Sequence, residues 1–205
     1  MGTRERRQRE KEEIRGKILR AAVELFLEDG YRNVTIRKIA DIIEYSPPVI
    51  YEYFKDKADI LLHIFYEDNG MLMEKLEEVY RRRDLSPVEK MREMGREYIR
   101  FGLDNPHFYE LAFISNILRF ETGLPYYDKD SPGSRAFDLL VTAVGDCNGQ
   151  AVLGDDDIIV LSETLWAGMH GLTSLLITHP EFPWAQQDKL IKTMLDTLMK
   201  ALPAE

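Results

Sequence analysis

Cysteine is almost missing from this 205-residue sequence. Cys147 stands alone, so no internal disulfide framework can hold the fold, and the chain suits a reducing compartment. Long apolar runs are missing too. The longest, such as that around Ile158, Val160 and Leu161, fall far short of the ~20 residues needed to cross a bilayer. The charged start (Arg4, Glu5, Arg6, Arg7, Arg9, Glu10) leads into no apolar stretch, which argues against a secretory leader. Positive charge is in deficit: 27 Lys and Arg face 36 Asp and Glu, a balance of −9. A protein basic all over is thereby excluded, though a local basic surface is not. The sequence also lacks a Gly-rich phosphate loop, Gly-x-Ser-x-Gly, His-Glu-x-x-His and any cysteine cluster. A cytoplasmic protein without membrane contact, catalysis or cofactor is the expectation.

What is present is helical periodicity. Ile14, Ile18, Ala21, Leu25 and Phe26 form a stripe of threes and fours, predicting a first helix that ends near Asp29-Gly30. Thr35 is placed to cap a short second helix carrying Ile36, Ile39, Ala40 and Ile43 on one face. Ser46-Pro47 starts a third, running to about Phe54, with the serine hydroxyl available to an orphan amide. Asp56-Lys57 opens a long fourth helix with Leu61, Ile64, Phe65, Leu72, Leu76 and Val79 inward. Ser86-Pro87 and Asn105-Pro106 begin a fifth and a sixth, 122–134 reads as loop, and further helices follow at about 134–151, 156–178 and 184–202. No alternating run, Asn-Gly hairpin signal or internal repeat intervenes. The predicted fold is all-α: an N-terminal three-helix bundle followed by a helical body, about nine helices in all.

Charge divides along the same line. Residues 1–58 carry a net +2 and residues 59–205 a net −11, so only the head is suited to approach a polyanion. Three short helices with a tight connection between the last two make a helix-turn-helix, whose third helix enters the major groove. Here Ile50 and Phe54 can face the bundle while Pro47, Pro48, Val49 and Tyr51 face out. Tyr51 and Tyr53 offer hydroxyls to phosphate oxygens, and Lys57 adds charge beside them. The tract from Arg4 to Arg15 reads as the mixed-charge, solvated start of the first helix, with a minor-groove arm as the alternative.

Residues 14–61 resemble the DNA-binding domain of TetR-type transcriptional regulators. The resemblance is carried by the apolar stripe, the capping Thr35, Ile39-Ala40, Tyr51-Glu52-Tyr53-Phe54 and the following Lys57. It implies that Thr35, Tyr53 and Lys57 touch the DNA backbone and that Arg37 reaches a guanine edge. Two departures stand out. Glu44 occupies the turn position where the family usually has glycine, so the turn either forms without that freedom or shifts. Pro47 and Pro48, beside Ser46, replace residues that often bond to bases, which predicts readout weighted toward apolar contact, such as Val49 on thymine methyl groups.

In the body, Trp166-Ala167-Gly168-Met169-His170-Gly171 is similar to the Trp…His-Gly signature of one branch of these regulators. Trp166 and His170 share a helical face and read equally as the wall of an effector cavity or as core packing. Met94, Tyr98, Phe101, Phe108, Tyr109 and Phe113 complete the candidate effector-binding set and favour a mainly apolar ligand. His107 with Glu110, and His63 with Glu67, have metal-compatible spacing but read as surface charge, and no metal is expected. The two last helices carry more apolar surface than one subunit can cover, which predicts a homodimer through about 156–178 and 184–202. The expected function is a repressor that leaves operator DNA when a small effector binds. A non-catalytic carrier, an enzyme using the body's cavity, or a protein-binding helical module are the alternatives.

Overall fold

The computed structural model describes residues 3–114, 117–123, 131–149 and 153–203. Among these residues there is no strand, and no helix is long and apolar enough to cross a membrane. Ten α-helices run in order: α1 Thr3–Leu25, α2 Ile36–Ile42, α3 Pro47–Tyr51, α4 Lys57–Tyr80, α5 Pro87–Asp104, α6 Pro106–Tyr109, α7 Ile117–Thr122, α8 Pro132–Asp146, α9 Asp155–Thr178 and α10 Gln187–Met199. A π-helical turn, Phe26–Gly30, and a 3-10 turn, Tyr31–Asn33, extend α1; a second π turn, Glu110–Ile114, follows α6. The all-α expectation is met with one helix more than foreseen, α7.

Several boundaries differ. The third helix stops at Tyr51, and Phe54 lies in the turn beyond it. The helix foreseen from residue 134 starts earlier, because the Ser131 hydroxyl accepts the Ser134 amide at 3.1 Å and Pro132 sits where no amide is needed. It also ends earlier, at Asp146. Most of the expected 122–134 loop, residues 124–130, lies outside the described residues, as do residues 150–152 near the foreseen end of that helix.

One compact unit, the head, holds the described residues of 1–67 and 111–126. Its core joins Ile18, Ala22 and Phe26 of the first segment to Ile39 and Ala40 of α2, Ile50 of α3, Phe54, and Ile60, Leu61 and Ile64 of α4. Burying each large apolar side chain contributes roughly 1.5–3 kcal/mol. Leu111, only 3% exposed, belongs to this core although sequence order places it far away. The start of α4 is fastened to α1 by Arg15, which ion-pairs with Glu67, meets His63 Nδ1 at 3.1 Å and stacks over Phe54. Glu67 and His63 are thus occupied with Arg15.

The turn between α2 and α3 answers the question Glu44 posed. Glu44 adopts φ +60°, the left-handed region, and the turn forms unshifted. Its amide donates to Asp41 O at 3.3 Å and the Tyr45 amide to Ala40 O at 3.0 Å. That pair of bonds is the Schellman closure of a helix, which normally places glycine where Glu44 stands. A residue with a Cβ costs roughly 1–2 kcal/mol in this conformation. Glu44→Gly should therefore raise the urea midpoint, adding about 1 kcal/mol of stability. An unchanged or lower midpoint would mean that the glutamate side chain holds the turn in some other way.

The second unit, the body, comprises the described residues of 68–110 and 127–205. Within it α5 packs against α8, α9 and α10, and α9 packs against α8 and α10. A capping box starts α5: Ser86 Oγ accepts the Glu89 amide at 3.4 Å, and the Ser86 amide donates to Glu89 Oε2 at 2.8 Å. Leu165 and Met169 of α9, Leu195 of α10 and Met91 and Ile99 of α5 are buried. The helices approach closely where α5 carries glycine. A Cβ on Gly95 would lie 2.7 Å from Leu195, and one on Gly102 would lie 2.5 Å from Thr173 and 2.8 Å from the Tyr109 ring.

Candidate nucleic-acid interface and effector cluster

In the head, α2 begins where the Thr35 hydroxyl accepts the Lys38 amide at 3.2 Å, which satisfies one of the unpaired amides of the first turn. Thr35 and Arg37 are exposed at that end. Across the Glu44 turn, Ser46 occupies the cap position of α3, but its hydroxyl makes no capping bond, contrary to its expected use. Pro47 and Pro48 fill the first two helical positions, where missing amides cost little. Ile50 is fully buried and Phe54 nearly so, which turns the opposite side of α3 outward. Pro48 and Tyr51 are exposed (Tyr51 by 57%), while Pro47, Val49 and Tyr53 are half-buried. The structure therefore brings Thr35, Arg37, Ser46, Pro47, Pro48, Val49, Tyr51 and Tyr53 together in the helix pair and its flanking turns.

Lys57 has a different setting. Its ammonium donates to Tyr31 O at 2.6 Å and Val34 O at 2.8 Å, and lies 4.0 Å from the centre of the Tyr31 ring. It thus fastens the start of α4 to the segment that leads into Thr35. Burial lowers the Lys57 pKa, with Glu121 opposing, and burial together with Glu121 and Asp56 pushes the Tyr31 hydroxyl up to about 12. The sequence offers no signal for this use, since a lysine at a helix start reads as a surface charge.

In the body, four of the candidate effector residues form one hydrogen-bonded cluster. The Trp166 indole donates to the Tyr98 hydroxyl at 3.2 Å. Tyr98 and Tyr109 hydroxyls are 3.0 Å apart, and they lie 3.3 Å and 2.5 Å from His170 Nδ1. The Tyr109 and His170 rings stack at 5.4 Å, and Phe137, which sequence reasoning missed, lies against Trp166 at 5.8 Å. Burial pushes both tyrosine hydroxyls above their ordinary range and lowers His170. A neutral imidazole with both phenols protonated suits this arrangement. The donor-only indole gives its hydrogen to the Tyr98 oxygen, and in the tautomer that leaves Nδ1 unprotonated its single lone pair accepts one phenolic hydrogen.

This predicts a pH dependence. With the folded His170 pKa below its ordinary value near 6.5, the unfolded chain binds the proton more readily, so stability falls as pH drops through 6.5 toward the folded value. His170→Gln should flatten that part of the stability curve relative to wild type. Parallel curves across this window would contradict the burial argument.

Phe101 and Phe108 pair edge to face at 5.9 Å, and Met94 is buried in the same unit. Phe113 falls in the head unit. Gly95 and Gly102 were missed as packing residues, and of the two glycines in the Trp-His-Gly stretch only Gly168 faces a close neighbour, Leu198. Among the described residues no group of three or more His, Cys, Asp or Glu is placed to hold a metal ion.

Residues 18–64 match the model of bacterial regulatory proteins of the tetR family, and residues 91–198 match a tetracyclin repressor-like C-terminal domain. The fatty acid metabolism regulator protein of Bacillus subtilis is 43% identical over 61 residues, 30% of this chain and 31% of that protein. Matches to the first three curated relatives span between 22% and 31% of their own length. Among solved structures, a TetR/AcrR family regulator from Thermobifida fusca superposes with a TM-score of 0.65 at 22% identity, covering 94% of this chain and all of that one. FadR of Bacillus subtilis in complex with stearoyl-CoA superposes with a TM-score of 0.71 at 18% identity, covering 91% and 98% of the two chains. With the tetR-family model matched on the helix-turn-helix and the C-terminal model matched over more than half of the sequence, the protein belongs to the TetR family of DNA-binding transcriptional regulators.

Proposed function

We propose that the protein is a dimeric repressor, released from its operator by a small, mainly apolar effector. The observation that carries the DNA-reading part is the exposed side of α3, set beside the capped start of α2 by the Glu44 turn. Thr35, Tyr51 and Tyr53 then meet phosphates, Arg37 a guanine edge, and Pro47, Pro48 and Val49 thymine methyl groups. Lys57 takes part chiefly by holding the loop ahead of Thr35.

Dimerisation is supported by α9, which leaves Ile159, Val160, Trp166 and Leu175 exposed in a single copy. The effector part rests on the cluster of Tyr98, Tyr109, Trp166 and His170, a set of oriented polar groups beside buried apolar ones. Effector binding would favour a body conformation less compatible with operator spacing, with reciprocal effects on the two affinities. The stearoyl-CoA bound to the Bacillus subtilis FadR makes long acyl thioesters the first compounds to test.

The test combines light scattering with anisotropy titration of a duplex covering the DNA upstream of the protein's own gene. The expected result is a dimer that binds this duplex at moderate salt and is released by an apolar ligand. A strictly monomeric protein that ignores the duplex would overturn the reading, as would turnover of a bound compound in place of release.

A further inference from the structure

Helix α1 begins about 16 Å before the head's core does, counting the eleven residues Thr3–Glu13 at 1.5 Å each. Residues 5–13 are all exposed and include no apolar side chain, so burial cannot be what maintains this extension. Pairs four residues apart support it instead: Arg6 with Glu10, Gln8 with Glu12, and Glu13 with Lys17. These pairs neutralise Arg6 and Lys17 locally. Among the described residues no ion pair takes up Arg7 or Lys11.

At ~100° per residue, Arg7, Lys11 and Arg15 fall within about 80° of arc, and no acidic residue of α1 shares that arc. Arg15 is turned inward to Glu67 and His63. Arg7 and Lys11 remain as an outward basic edge. A groove lined by Gln8, Lys11, Glu12, Arg15, Glu52 and Tyr53 connects this face to the end of α3. Tyr53 is one of the residues proposed above to meet the DNA backbone.

We infer that the Arg7–Lys11 edge of α1 is a further phosphate-binding surface, which follows the operator backbone outward from the segment that Tyr53 contacts. The inference rests on the DNA-binding reading above. It adds charge contacts and no sequence information, so it lengthens the protected stretch of DNA without narrowing the choice of sequence. The occupant is the duplex backbone, chosen by charge: two cations on an exposed helix edge, in a protein whose net charge is −9.

The test uses the full-length protein and the same upstream duplex, with affinity measured from 50 to 200 mM salt. Arg7→Gln combined with Lys11→Gln should reduce the slope of log affinity against log salt by about 2 per bound protomer, shrinking the loss over that range roughly tenfold. Hydroxyl-radical footprints should shorten at the outer edges. Arg6→Gln, on another side of the helix, should change neither. If the double variant keeps the wild-type slope and footprint, or if Arg6→Gln lowers the slope equally, this surface is ruled out while the DNA-binding reading stands. If wild type does not bind the duplex at all, both fall together.

Discussion

Replacing Lys57 by methionine should lower the unfolding free energy by about 2–3 kcal/mol and weaken operator binding with it. Methionine retains the apolar stem and removes the ammonium, leaving Tyr31 O and Val34 O without the donor they have at 2.6 and 2.8 Å. Hydrogen bonds to a charged group contribute roughly 1.5–3 kcal/mol each, and the Tyr31 ring beneath adds about 0.5–1. Partial desolvation of the ammonium, visible in its lowered pKa, offsets part of that sum. The loosened segment, Tyr31 to Val34, leads directly into Thr35, so the open end of α2 loses its fixed position. Urea denaturation combined with the salt dependence of DNA binding separates two roles. A lysine that only contacted phosphate would leave the urea midpoint unchanged and reduce the salt slope by about one. The structure calls for a shifted midpoint.

Gly102→Ala should destabilise the body by about 2 kcal/mol, while Gly70→Ala on α4 should stabilise the protein by up to about 1. Both glycines lie within helices, where alanine is intrinsically the better residue. They differ in what the added methyl meets. Nothing lies within 4 Å of a Cβ at Gly70. At Gly102 the new atom would stand 2.5 Å from Thr173 Cγ2 and 2.8 Å from the Tyr109 ring. Neither neighbour yields easily. Thr173 is β-branched and fully buried, and Tyr109 is held by its bond to His170. Relief must come from separating α5 and α9, which should also disturb the near-ultraviolet signal of the tyrosine cluster. Equal shifts for the two variants in thermal melts would show that close approach at Gly102 carries no weight.

These outcomes mark where the sequence could be read and where it could not. Thr35 as a cap and Ile50 with Phe54 as inward residues follow from spacing and side-chain chemistry alone, and the structure places them so. The sequence marked Tyr98 and Tyr109 by the aromatic content of their helices, and Trp166 with His170 by the resemblance to the Trp…His-Gly signature. It did not reveal their hydrogen bonds, which depend on where three separate helices meet. The hold of Lys57 on Tyr31 O and Val34 O was not legible, because these carbonyl partners lie more than twenty residues away. Nothing in the sequence singles out Gly102, whose missing side chain gains meaning only from Thr173 and Tyr109 on other helices. Phe113 followed the aromatic pattern of its neighbours, yet the chain passes into the other unit at Leu111, within the π turn Glu110–Ile114.

That return of the chain has a consequence for engineering. Leu111 lies in the amino-terminal core and Glu121 is 3.7 Å from Arg32, so the unit that reads DNA is assembled from two stretches of sequence. A graft that transfers residues 1–67 onto a foreign partner would leave a leucine-sized vacancy behind. The transplant would need either the second stretch as well or a larger side chain to fill the gap.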